Sequence, residues 1–266
     1  MSVEGLVPQS RRLDEICAYL AQHYRIGIED ICRLFGVTRD TARRDVMRLD
    51  ADGRALRVRG GAVLPPSARQ VRHYAGRGGA SPAKQAIGAV AAALIRDGDR
   101  VLFDTSTTVM EVARAVSAAP LHAVTNSIDI AEALGGREGV ELHLTGGRFN
   151  PWQRSLEGPQ ARVGLAQFGF DKVILGACAL DPEGLTCPSD EESSLKQAML
   201  RQARQVIVVA EAAKFGAAFL HRLCTFEAID VLVTDRPLPA VVAERLAALG
   251  VEAVVAGDGA ATPAGD

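Results

Sequence analysis

The stretch Val37-Thr38-Arg39-Asp40-Thr41-Ala42-Arg43-Arg44-Asp45, with Gly53 and then Arg57-Val58-Arg59-Gly60-Gly61-Ala62 behind it, decides how this chain begins. Thr38 stands where a hydroxyl would cap a helix over residues 39–51. Ala42, Val46 and Leu49 fall on one side of that helix as an apolar seam. The opposite side carries Asp40, Thr41, Arg44 and Arg48, flanked by Arg39 and Arg43. Upstream, Leu13, Ile16, Cys17 and Leu20 mark an amphipathic helix over 11–23. Ile28, Ile31, Cys32 and Phe35 give a shorter one that Gly36 ends in a left-handed cap. Downstream, the alternating run Ala55–Arg59 reads as a strand that Gly60-Gly61 turns.

A short helix, a tight turn and a second helix with a basic outer face is a helix-turn-helix pattern. A helix of that kind fits the major groove, where Arg can donate twice to guanine and smaller polar groups read other base edges. Arg57 and Arg59 lie on a ribbon of the right size for a wing against the phosphates. The plainer alternative is that the arginines solvate an exposed helix, partly paired with Asp40 and Asp45. Cap, turn glycine, seam and basic ribbon together favour DNA.

Composition supports a divided molecule. The 266 residues are 48% hydrophobic and 23% charged, which describes a chain with a real core. Net charge is −2, yet residues 1–80 hold 14 Arg, no Lys and 9 acidic residues, while the remainder is net −7. One part thus suits a polyanion and the other does not. No apolar run reaches membrane-spanning length and the first residues lack a signal-peptide stretch, so the cytoplasm is the expected compartment. Cys17, Cys32, Cys178, Cys187 and Cys224 are scattered, which supports neither a zinc ribbon nor a disulfide framework and fits buried thiols.

Residues 8–63 therefore form the first module. Pro65-Pro66, Gly76, Gly78-Gly79 and Pro82 mark 64–82 as a linker, and 258–266 is a loose tail. Over 83–257 apolar strands alternate with helices. The strands are expected at 100–104, 122–125, 140–145, 172–176, 205–210, 230–234 and 251–256, with helices such as 83–96, 107–117, 190–203 and 239–249. This is a Rossmann-like α/β domain, a mostly parallel sheet covered on both faces.

Ligands of such sheets sit at the strand carboxyl ends. There the sequence offers Asp104-Thr105-Ser106-Thr107-Thr108 at a helix start suited to phosphate, then Thr125-Asn126-Ser127, Gly146-Gly147, Gly176-Ala177-Cys178 and Glu211–Gly216. Lys is scarce, and Lys214 in its glycine-ended loop is the better cation for an anionic ligand. Lys196 reads either as a second such cation or as a solvated helix residue paired with Glu192. Asp104 reads as an orienter of sugar hydroxyls, as a helix cap, or as both. His122 and His143 read as satisfied core residues, and Trp152 as a pocket-liner or a packed loop residue.

The first motif resembles the signature of the DeoR family of bacterial sugar-metabolism regulators, V-S-x-x-T-[IV]-R-R-D-L, a glycine, then R-x-H-G-G-A. Thr38 replaces Ser, Ala42 the β-branched residue and Arg59 the wing His. The likeness continues through Asp104–Thr108 (family D-x-G-T-T, with Ser106 for Gly), Thr125-Asn126, Asp171–Ala177, Gly184-Leu185-Thr186, Glu192–Met199 and Glu211–Gly216. It implies a winged helix-turn-helix joined to a sensor domain whose fold is related to ribose-5-phosphate isomerase and which binds phosphorylated sugars. On that reading Thr38, Arg39, Asp40, Thr41, Arg43, Arg44, Arg48, Arg57 and Arg59 meet operator DNA. Asp104, Ser106, Thr107, Thr108, Thr125, Asn126, Gly146, Gly147, Gly176, Lys196, Glu211 and Lys214 surround the effector. The chain is then a homo-oligomeric repressor, not an enzyme, and calls for no cofactor or metal. The alternative is a sugar-phosphate isomerase with an accessory module, for which Asp104, Asp181 and Glu211 are the candidate carboxylates. The isomerase type of Asp-Gly-Ala-Asp run is absent.

Overall fold

Gly36 takes φ 63° at the end of the helix Ile28–Phe35, a conformation a side chain disfavours, and this sharp stop sets the angle of the next helix. The computed structural model describes residues 8–23, 25–52, 54–63, 80–151 and 153–257. The expected linker (save 80–82), the expected tail and Trp152 lie outside them. The chain divides into two compact units, Met1–Val71 and Arg72–Asp266.

In the first unit α1 (Gln9–His23), α2 (Ile28–Phe35) and α3 (Arg39–Ala51) pack around Ile16, Leu20, Ile31, Ala42, Val46 and Leu49. The Thr41 backbone N–H donates to Thr38 Oγ1 at 3.3 Å, so the expected cap is present. A three-stranded antiparallel sheet forms the wing, with β1 (Arg25–Gly27) and β2 (Leu56–Val58) either side of β3 (Gly61–Val63). The sequence showed the ribbon and missed β1. At Gly61 a Cβ would stand 2.0 Å from the Ile26 carbonyl oxygen, so glycine there is what lets β1 pair with β3. Asp45 does not join the solvated face: it is fully buried and held by Arg12.

In the second unit the seven expected strands become one parallel sheet. In chain order they are β4 (Arg100–Phe103), β5 (Leu121–Thr125), β6 (Val140–Leu144), β9 (Phe170–Gly176), β12 (Ala203–Val209), β14 (Val231–Thr234) and β15 (Glu252–Val255). Their spatial order is β15-β14-β12-β9-β4-β5-β6. The chain starts at β4, builds outward to β6, then returns to β9 and builds the other way. Adjacent β4 and β9 thus flank a topological switch point, where carboxyl-end loops splay apart. Apolar side chains on the two faces form separate cores, one around Phe103, Val112 and Ile207, the other around Leu175, Met199 and Phe226.

Helices α4 (Pro82–Ala92), α5 (Thr107–Ala115), α6 (Ile128–Leu134), α7 (Pro159–Leu165), α8 (Asp190–Arg201) and α9 (Ala240–Ala248) complete the layers. Two additions interrupt the alternation: the hairpin β7 (Arg148–Asn150) and β8 (Ser155–Glu157), and the antiparallel sheet of β10 (Ala179–Asp181), β11 (Gly184–Cys187) and β13 (His221–Thr225). His122 and His143 are not core residues. Both are exposed and share the Glu141 carboxylate at 3.0 Å each; His143 stands on the largely uncovered outermost strand β6 and His122 at the start of its neighbour β5. No helix among the described residues is long and apolar enough to cross a membrane.

Candidate functional site

The basic face of the first unit is built from α3 and the wing. Arg39, Arg43, Arg57 and Arg59 line one groove of about 430 Å³, with Met47 and Gly60 between them. Arg44 and Arg48 stand outside that groove and are exposed, as are Thr38 and Asp40; Thr41 is half-buried. The ion pairs here are exposed: Arg39 with Glu29, Arg43 with Asp40 at 3.6 Å, and Arg48 with Asp52 at 3.2 Å. Such pairs are worth at most about 1 kcal/mol, so a phosphate displaces them at little cost. Arg44, Arg57 and Arg59 have no side-chain partner among the described residues and are open to a polyanion. Met47, 53% exposed on the same helix, is the residue the sequence reading passed over. A large exposed apolar side chain amid arginines is the signal that would have found it, since thymine methyls offer it a contact.

At the switch point of the second unit a buried polar cluster joins β4 to β9. Lys196, on α8, reaches Asp104 Oδ2 at 2.9 Å and Glu192 Oε1 at 3.2 Å, and donates to the Gly176 carbonyl at 2.7 Å. Those partners use its three N–H bonds. Burial disfavours the charge of Lys196, but the two carboxylates more than offset it and hold the pKa well above the usual lysine value. Burial pushes the Asp104 carboxyl up, against the pull of Lys196. The reading of Lys196 as solvated is therefore corrected: it pairs with Glu192, but inside the protein. Asp104 is not the cap of α5 either. Its Oδ2 accepts the Gly176 N–H at 3.1 Å, and Ser106 caps the helix by accepting from the Thr108 N–H at 3.2 Å. A Cβ on Gly176 would lie 2.3 Å from the Ser106 Cβ, so the Ser106 side chain fills the space that Gly176 leaves.

The other expected residues divide. Thr125 is fully buried and spends its hydroxyl proton on the Phe103 carbonyl at 2.8 Å, which leaves it a strand-end clamp. Gly147, at φ 113°, lets Glu157 approach, since a Cβ would meet that carbonyl at 2.5 Å; Gly146 beside it has φ 72°. Thr108 is buried in the first turn of α5, and Thr107 lines a cleft of about 750 Å³ between α5 and α6 with Glu111, Arg114, Asp129 and Arg154. Glu211 accepts from Ser81 at 3.5 Å and lies 3.9 Å from Lys84, a buried cation that the sequence reading left out. Lys214 ends a 3₁₀ turn after β12 and is half-buried.

Two polar atoms are buried without a hydrogen-bond partner among the described residues, Thr105 Oγ1 and Asn126 Oδ1. Thr105 follows β4 and Asn126 follows β5, neighbouring strands of one parallel sheet, so both orphans lie at its carboxyl edge. A buried polar group left unpaired costs about 1–3 kcal/mol. A ligand hydroxyl at that edge would recover it.

The three carboxylates an isomerase reading would use are committed elsewhere. Asp104 holds Lys196, Asp181 holds Arg222 at 2.8 Å and the turn N–H groups of its hairpin, and Glu211 faces Ser81 and Lys84. Among the described residues no group of three or more His, Cys, Asp or Glu side chains could hold a metal ion.

Comparison with known proteins agrees with this architecture. Residues 12–68 match the DeoR-like helix-turn-helix domain and residues 80–236 the DeoR C terminal sensor domain. The HTH-type transcriptional repressor GlcR of Bacillus subtilis is 39% identical over 229 residues, covering 86% of this chain and 89% of that protein. A putative aga operon transcriptional repressor of Escherichia coli O157:H7 is 33% identical over 256 residues, covering 94% of each. The transcriptional repressor AccR of Agrobacterium fabrum is 35% identical over 228 residues, covering 84% and 88%.

Proposed function

The chain belongs to the DeoR family, and we propose that it is a cytoplasmic transcriptional repressor of a carbohydrate-metabolism operon, released from its operator by a phosphorylated sugar. It acts by binding rather than by catalysis. Residues 8–63 read DNA, 64–82 link, and 83–257 sense the effector. The observation that carries the sensing half is the pair of orphaned buried oxygens on Thr105 and Asn126. They await hydroxyl donors beside the first turn of α5, whose backbone N–H groups favour an anion. Lys214 supplies the counter-charge. Asp104 and Lys196 shape the crevice from beneath and leave the ligand to the residues above them.

A thermal-shift screen of the full chain against phosphorylated sugars, followed by operator mobility shifts, tests this reading. The stabilising sugar phosphate is expected to weaken operator binding, and coupling of about 1–3 kcal/mol gives a 5–150-fold change. Lys214→Ala is expected to keep operator affinity and lose the response. A variant that responds at wild-type concentrations removes Lys214 from the site.

On the DNA side a homo-oligomer places two wings and two α3 helices on paired half-sites, since one such module makes few contacts. Arg44 reads a base edge and Arg57 a phosphate. Arg44→Ala should cost about 1–3 kcal/mol and relax specificity at one operator position. Arg57→Ala should weaken specific and random DNA alike and lower the salt slope by about one unit. Titrations at several salt concentrations separate the two, and wild-type binding by both variants overturns the assignment.

A further inference from the structure

We propose that Cys178 is an oxidation site and that Cys187 resolves it, closing a disulfide across the open end of the β10–β11 hairpin at the rim of the switch-point crevice. The hairpin pairs Ala179 with Thr186, Leu180 with Leu185 and Asp181 with Gly184. Cys178, in the bend before β10, and Cys187, the last residue of β11, are the next residues out from the Ala179–Thr186 pair. Facing residues of an antiparallel ladder stand about 4.5–5.5 Å apart at Cα, within the span of about 4.4–6.8 Å that a disulfide bridges. The same corner holds a buried cation, since Cys178 Sγ and Lys196 Nζ share Glu192 Oε1 at 3.0 and 3.2 Å.

The two thiols differ in access, and that assigns their roles. Cys178 is half-buried, and its thiol donates to Glu192 Oε1 at 3.0 Å. Cys187 is 1% exposed, and burial pushes its thiol pKa up. An oxidant from solvent meets Cys178 first. With a hydroperoxide the step balances. The Cys178 sulfur attacks the O–O bond, an S–O bond forms, and the leaving oxygen departs as water or alcohol with the thiol proton. The Cys187 sulfur then attacks the sulfenic sulfur, an S–S bond forms, and hydroxide leaves with the second thiol proton as water. Two electrons from the thiol pair reduce one peroxide. Cys224 is a poorer resolver, since it faces Leu185 and burial pushes its thiol up to about 11.

Residues 173–195 contain no Lys or Arg, so one tryptic peptide, ending at Lys196, carries both cysteines. The full chain is treated with hydrogen peroxide, alkylated and digested without reductant. The expected result is that this peptide loses two hydrogens and takes up no alkylating agent, and that reduction restores both sites. In Cys187→Ser and Cys187→Ala the sulfenic acid has no resolving thiol, so dimedone is expected to label Cys178 strongly, and wild type only weakly. The alanine variant keeps the position apolar. Should both variants fail to fold by circular dichroism, the wild-type peptide decides alone. Two alkylatable cysteines after peroxide, a bond from Cys187 to another cysteine, or equal dimedone labelling of wild type and a folded variant overturns the proposal.

Discussion

Lys196→Ala is expected to destabilise the second unit by about 3–5 kcal/mol, the range for removing one partner of a buried ion pair. Lys196 is 3% exposed and Asp104 1%, so the variant leaves a buried carboxylate without its ammonium. The variant leaves Asp104 facing the Gly176 N–H alone, with Glu192 adding like charge nearby. Asp104 then takes up a proton more readily than in the unfolded chain. A carboxyl with a raised folded pKa favours the fold below its ordinary pKa and loses that contribution as pH rises through the folded value. The deficit relative to wild type is therefore expected to shrink on acidification. Urea unfolding followed by hydrogen exchange at β4 and β9 amides measures it at two pH values. Lys196→Met with Asp104→Leu, which removes both charges, should restore much of the loss. A deficit below about 1 kcal/mol in the single variant would show that the cluster is not what joins these strands.

What the sequence displayed, and what it hid, follows from the range of each interaction. The inner strands were legible because parallel strands covered on both faces are continuous apolar runs, as in Val173–Leu175 and Val206–Val209. The α3 boundaries were legible because Thr38 and the seam Ala42–Val46–Leu49 act within one or two helical turns. β1, β7 and β8 were not, since three residues carry no period. Lys196 misled for a related reason. A Glu–Lys pair at i,i+4 looks the same on a solvated helix as on a buried one, and the partner that decides between them, Asp104, comes from another strand end. His143 erred the opposite way, because local apolar neighbours do not reveal that the outermost strand β6 lacks cover. Among the site residues, the loops were placed at the correct edge by topology, while the hydrogen bonds that commit Thr125 and Asp104 to the fold depend on partners far along the chain.

The same distance effect governs Asp45, whose partner Arg12 lies 33 residues away. Arg12 grips the carboxylate with Nε at 2.6 Å and Nη2 at 3.2 Å, and Gln9 adds a third donor at 3.1 Å. This fork ties α1 to α3 beneath the DNA-facing surface, so the pair orients α3 without touching DNA. Asp45→Ala takes the paired carboxylate from a 5%-exposed guanidinium, and a loss of about 3–5 kcal/mol is expected. A unit this small has a marginal core, so the loss should unfold much of residues 9–63 at equilibrium. Operator binding should then fall for specific and random DNA together, unlike the position-specific loss expected of Arg44→Ala. The second unit should still melt as wild type and still be stabilised by the sugar phosphate that stabilises wild type, because nothing in its own core has changed. Hydrogen exchange resolved by peptide distinguishes the outcomes, with protection lost in α1 and α3 and kept in β4, β9 and β12. Retained protection in α1 and α3 alongside lost DNA binding would instead make Asp45 part of the DNA-reading surface, contrary to its complete burial.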